Sequence, residues 1–209
     1  MIEKQSILND IEFIQWCYTG ITEETLQSTR NVKILAKYKK KENKWGNDMV
    51  RKYIKKEHKD NNQWTTLLCE HAVKEMIKTI YKKDINRCNY KSKLRPKKKY
   101  NPDWETDDYI YEVKGRNWTT SGTAGEKILG VPLKYSELIE LSNKKVKIIL
   151  IGYQEAEAKH DFGFGNLCDN NCNNNAKQIL ECFNKIGFEY IPFTKYLKKI
   201  GYEDGCWFK

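Results

Sequence analysis

Asp103, Glu112 and Lys114 have the types and spacing that phosphodiester hydrolysis needs. Residues 101–116 read NPDWETDDYIYEVKGR: Asp103 opens one strand-like segment, and Glu112 and Lys114 stand two residues apart on the next. Period-two alternation puts Glu112 and Lys114 on one face of a strand. Two carboxylates converging from neighbouring strands form a hard, oxygen-rich site of the kind Mg²⁺ prefers, and a lysine beside them can position or help deprotonate a water. A bare Glu-x-Lys triplet is equally the pattern of an exposed ion pair. Here it follows Pro102-Asp103 at hairpin distance, a helix bearing Glu70 precedes it, and an apolar run follows.

The elements that must position these groups are legible as periodicities. Cys69, Ala72, Val73, Met76, Ile77 and Ile80 fall at helical spacing and predict a helix from Thr65 that carries Glu70. Residues 103–106 and 109–114, separated by Asp107 and Asp108, predict a hairpin, approached by a basic, proline-containing segment at 91–100. VKIILIGY at 146–153 is a β-branched run suited to a strand buried on both faces, and residues 188–193 form another. Between them a helix over 175–186 would turn Ile179, Leu180, Phe183 and Ile186 inward and stop at Gly187. Upstream, Ile7, Ile11, Ile14 and Tyr18 predict an amphipathic helix ended by Gly20, and Met49, Val50, Tyr53 and Ile54 a second one after an Asn47 cap. This order describes an α/β domain with a mixed β-sheet flanked by helices.

Charge points to a polyanion. The chain of 209 residues carries 38 Lys+Arg against 28 Asp+Glu, and the excess is concentrated at 30–100, where 23 cationic side chains meet 7 carboxylates. Nucleic acid is the commonest partner of such a field, with a basic membrane-surface patch or a merely solvated face as the alternatives. Lys39, Lys40, Lys41, Arg51, Lys55 and Lys56, interleaved with Tyr38 and Trp45, are candidates for phosphate contact. No run approaches the roughly 20 apolar residues of a membrane span. Met1 to Gly20 is interrupted by Glu3, Asp10 and Glu12, and the seven cysteines are odd in number and scattered. The expectation is a soluble, cytoplasmic chain with reduced thiols.

With these residues in place, the segment 64–155 resembles the PD-(D/E)xK nuclease superfamily, and in particular its type II restriction endonucleases. Pro102-Asp103 and Glu112-Val113-Lys114 match both halves of the motif, and Glu70 matches the accessory acid of the preceding helix. The resemblance implies a restriction-endonuclease-like core over 61–209 and an N-terminal helical, partly basic elaboration over 1–60. It also implies Mg²⁺ held by Asp103 and Glu112 with Glu70 in support, Lys114 orienting the attacking water, and cleavage of double-stranded DNA to 5′-phosphate and 3′-hydroxyl ends. A homodimer would cut both strands of a symmetric site, and a cognate DNA methyltransferase would act on the same sequence. A repair or recombination nuclease of junction-resolvase type, or a non-catalytic DNA-binding module, would use the same surface.

Other motifs carry less. After Arg116, the stretch NWTTSGTAGEK ends in Lys127 but lacks phosphate-loop spacing, since Glu126 separates Gly125 from Lys127 and no Ser or Thr follows. Beside a cleavage site, Arg116, Thr119, Thr120, Ser121, Thr123 and Lys127 would instead contact DNA, and the same stretch reads equally as a flexible connection into a short helix. His160, Cys168, Cys172 and Cys182 depart from the paired spacings of structural zinc and read as ordinary thiols and imidazole.

Overall fold

The computed structural model describes residues 6–20, 32–120, 123–165 and 173–203. Helices α1 (Ile11–Thr19), α2 (Val32–Tyr53) and α3 (Trp64–Tyr81) lead into strands β1 (Tyr90–Lys91), β2 (Lys99–Tyr100), β3 (Trp104–Glu105) and β4 (Tyr109–Arg116). Then come α4 (Val131–Lys134), α5 (Ser136–Ser142), β5 (Lys145–Gly152), α6 (Tyr153–His160), α7 (Asn174–Lys185), β6 (Phe188–Pro192) and α8 (Phe193–Lys199). Strands β3-β4-β5-β6 form one sheet, in which β3 runs antiparallel to β4 while β4, β5 and β6 run parallel to one another. The fold is therefore α/β with a mixed sheet. β1 and β2 make a separate antiparallel pair.

Strand β5 is the centre of the molecule. Ile149 and Ile151 join Phe13, Trp16, Leu68, Val73, Tyr111, Val113 and Phe193 on one face, while Val146, Ile148 and Leu150 join Ile110, Tyr135, Leu138, Phe188 and Tyr190 on the other. Burial on both faces explains its nearly continuous apolar sequence. Gly115 lets α3 lie directly on β4, because a Cβ there would come within 2.3 Å of the Cys69 sulfur. Of the described helices, none is long and apolar enough to cross a membrane.

Three sequence expectations need correction. In α1, Asp10 caps the helix by accepting from the Glu12 and Phe13 amides, and this start buries Phe13, Ile14, Trp16 and Cys17 while leaving Ile11 out in solvent. Asn47 caps nothing: it lies inside the 22-residue α2. Its side chain bonds the Asn43 carbonyl, His58 and the Asn61 amide, fastening the turn after the helix. In α7, Ala176 is buried and Leu180 and Phe183 pack on the core, but Ile179 and Ile186 are half exposed.

Candidate active site

Register places the acidic pair. Trp104 faces Tyr111 and Glu105 faces Ile110 across β3 and β4. One step further along this antiparallel pairing, Asp103 comes opposite Glu112, and residues directly opposite share a face. The hairpin closes through Thr106, whose amide donates to the Tyr109 carbonyl. The Val113 amide donates to Asp103 Oδ2 at 2.6 Å, so the Asp103 carboxylate leans on the backbone of the strand that carries Glu112.

Around Glu112 the partners are explicit. Lys114 Nζ donates to its Oε1 at 2.6 Å, Lys134 Nζ lies 3.6 Å from the same oxygen, and the Tyr135 hydroxyl donates to Oε2 at 3.0 Å. The Glu112 side chain is only 4 % exposed, against 30 % for Lys114. Burial, followed by the facing charge of Glu112, pushes the Tyr135 phenol up, so it stays a hydrogen-bond donor. Burial and then the Glu112 charge push the Asp103 carboxyl up to about 7, against the Val113 hydrogen bond and the Lys114 charge, which pull it down.

Glu70 arrives from the other side of the sheet edge. Its carboxylate is ion-paired with Arg87, which also donates to the Asp103 carbonyl at 3.1 Å and lies 3.9 Å from Asp103 Oδ1. The Arg87 guanidinium sits over the Trp104 ring at 4.1 Å, and the Trp104 indole donates to the Glu70 carbonyl. Glu70 is linked to Asp103 through Arg87, and its charge adds to the rise of the Asp103 carboxyl. Among the described residues no three His, Cys, Asp or Glu side chains gather into a complete metal-ligand group. Asp103 and Glu112 nevertheless fit Mg²⁺: both offer carboxylate oxygens, their charges oppose one another, and this ion is usually held by one or two carboxylates plus water and phosphate.

Arg87, Lys134 and Tyr135 were not legible as site residues. Arg87 lies in a stretch without periodicity, and Lys134 and Tyr135 lie 20 or more positions beyond Glu112 in sequence. Only the fold brings them back.

The basic residues divide. Lys39, Lys40, Lys41 and Arg51 line an open cleft of about 930 Å³ along α2 with Lys37, Lys44 and four asparagines. Asp48 pairs with two of its lining residues, Lys44 and Arg51, and Asp60 with Arg51, so the other lysines carry most of its free positive charge. Lys55 and Lys56 are exposed just past the helix, and Lys127 is exposed at the end of the 3₁₀ turn Thr123–Ile128. Two expected DNA contacts are corrected. Arg116 is buried and ion-paired with Glu157, and Thr119 is fully buried, its amide and hydroxyl both donating to Glu42. The segment after β4 tucks into the core because Trp118 packs there and its indole donates to the Trp16 carbonyl. Thr120 is half buried and hydrogen-bonded to Asn117. Ser121, Cys168 and Cys172 lie outside the described residues, while Cys182 is an exposed free thiol. Comparison of the chain with protein-family models, with curated proteins and with solved structures gave no match.

Proposed function

We propose that this chain is a Mg²⁺-dependent endonuclease of double-stranded DNA, a type II site-specific enzyme on a restriction-endonuclease-like core. In this reading it works as a homodimer in the cytoplasm, beside a DNA methyltransferase of the same specificity. One observation carries the proposal: Asp103 stands opposite Glu112 across an antiparallel strand pair, with Lys114 on the Glu112 carboxylate. When bound, Mg²⁺ supplies Lewis-acid stabilisation of the charge that develops on the phosphate.

The side chains divide the remaining work. Asp103 and Glu112 present oxygens to the ion, and Tyr135 and the Val113 amide fix the directions of those oxygens. Lys114 Nζ, partly exposed beside them, holds a water in line with the phosphorus and stabilises negative charge as the bond to the 3′ oxygen breaks. Arg87 keeps Glu70 from joining the ligand set, so Glu70 supports the site by charge unless Arg87 turns to a DNA phosphate. The lysines of α2, with Lys55, Lys56 and Lys127, supply sequence-independent phosphate contacts.

Plasmid digestion tests the reading. With Mg²⁺ the protein should cut supercoiled plasmid into discrete bands, and EDTA should stop it. A smear would indicate a nonspecific nuclease, and selective cutting of branched DNA a resolvase. Retarded migration without cleavage would mean a binding module and overturn the enzymatic reading.

A further inference from the structure

The β1–β2 hairpin presents a cationic tip that none of these roles uses. Residues 91–99 carry Lys91, Lys93, Arg95, Lys97, Lys98 and Lys99, all exposed, and no Asp or Glu occurs anywhere from 85 to 102. The tip is braced from within. Pro96 follows Arg95 in a turn closed by the Lys98 amide on the Arg95 carbonyl at 2.8 Å; the Ser92 amide reaches the Lys98 carbonyl at 3.0 Å, and the Arg95 amide the Ser92 hydroxyl at 2.8 Å.

Its base is bolted to the body by one carboxylate. Glu137 of α5 is buried and accepts from the Ser92 hydroxyl, from the Lys93 and Leu94 amides and from the Tyr100 hydroxyl. The Tyr100 ring rests 6.0 Å from that of Tyr135, whose hydroxyl holds Glu112. Three residues after Tyr100 comes Asp103. The hairpin is therefore tied at its base to both carboxylates of the candidate site, and its order does not have to be acquired on binding.

We infer that this hairpin is a duplex-DNA contact that seats the phosphodiester backbone beside Asp103 and Glu112. Its placement beside a cutting centre rests on the nuclease reading; its binding to DNA does not. Six cations on a preformed turn match a line of phosphates, and each one engaged releases a counterion. A membrane surface would need several apolar side chains to enter the lipid boundary. Here Leu94, 80 % exposed, is the one exposed large hydrophobic side chain of the tip.

The test is a salt titration of binding to a labelled duplex in Ca²⁺, with full-length protein. Wild type is compared with Lys97→Ala/Lys98→Ala, with Leu94→Ser, and with Lys177→Ala/Lys185→Ala, which removes the same charge from α7. The hairpin double variant should lower the log–log salt slope by about 1.8, at about 0.9 per phosphate contact. Leu94→Ser and the α7 variant should leave it unchanged, and circular dichroism melting should confirm an intact fold. An unchanged slope in the hairpin variant, an equal fall in the α7 variant, or no duplex binding by wild type overturns the inference. So does binding to phosphatidylserine vesicles that Leu94→Ser abolishes while the DNA slope is unaffected by the lysine changes. Plasmid cleavage by wild type in Mg²⁺ is scored separately. A lowered slope without wild-type cleavage keeps the hairpin contact and removes the enzyme, and cleavage with an unchanged slope does the reverse.

Discussion

The Tyr135 hydroxyl donates to Glu112 Oε2 at 3.0 Å, joining the turn between α4 and α5 to the strand that carries the candidate catalytic pair. Both groups are buried. Tyr135→Phe keeps the ring in the core and removes only the donor, leaving a buried carboxylate oxygen unsatisfied. Stability should fall by about 1–3 kcal/mol in urea unfolding. An unchanged midpoint and slope would mean that this bond contributes nothing in solution.

Asp103→Asn and Glu112→Gln each replace a proposed metal-binding carboxylate with a neutral amide of the same shape. Single-turnover cleavage in saturating Mg²⁺ should drop by at least about 10²-fold for each. Duplex binding in Ca²⁺ should change by no more than a few fold. Near-normal cleavage by either variant would remove that residue from the site.

Lys114→Ala separates chemistry from metal affinity. In the proposed mechanism the ammonium acts on water and on developing phosphate charge, so the Mg²⁺ concentration for half-maximal rate should hold while the single-turnover rate falls on the order of 10²-fold. If Lys114 is only the ion-pair partner of Glu112, the rate will stand and the melting temperature alone will move. Both measurements on one preparation decide between these outcomes.

Two carboxyls give opposite pH signatures of stability. Asp103 is raised from 3.8 to about 7, first by burial and then by the Glu112 charge, so the folded chain binds more protons than the unfolded chain between those values. In EDTA its contribution therefore erodes as pH rises through that window, and Asp103→Asn should gain on wild type by pH 8. Glu137 is lowered from 4.5 to about 2, by the Ser92 hydroxyl first, with the Leu94 and Lys93 amides and the Tyr100 hydroxyl also lowering it. Its contribution is complete above 4.5 and is lost as pH falls toward 2. Glu137→Gln should flatten the acid limb of a melting-temperature profile and leave the neutral region's slope alone. Parallel curves for wild type and either variant would contradict the assignment.

Much of the scaffold was readable because local patterns and tertiary burial agree. The α3 stripe from Cys69 to Ile77 is buried as its spacing requires, β5 and β6 fall where the apolar runs lie, and β3–β4 forms at Asp107-Asp108. Pattern and structure part where a polar side chain redirects the backbone. Asp10 resets the phase of α1, and Asn47 serves a neighbouring turn from mid-helix. At the site, Glu112 and Lys114 were visible through strand alternation. Arg87, Lys134 and Tyr135 were not, since no short-range rule connects them to Glu112. Arg116 and Thr119 read as surface groups because their partners, Glu157 and Glu42, are 41 and 77 residues away.

Glu42 has a consequence for how the molecule assembles. Its buried carboxylate accepts from the Trp16 indole, from the Trp118 and Thr119 amides and from the Thr119 hydroxyl. Those donors come from the first helix and from the chain just beyond β4, and the Trp16–Trp118 bond spans 102 positions. Contacts of such sequence separation raise contact order and form only after long loops have closed. The far end of the strand bearing Glu112 and Lys114 should accordingly become rigid late in folding, after the N-terminal chain has docked. A chain truncated from its N-terminus past Glu42 would display the acidic pair on an unsecured strand.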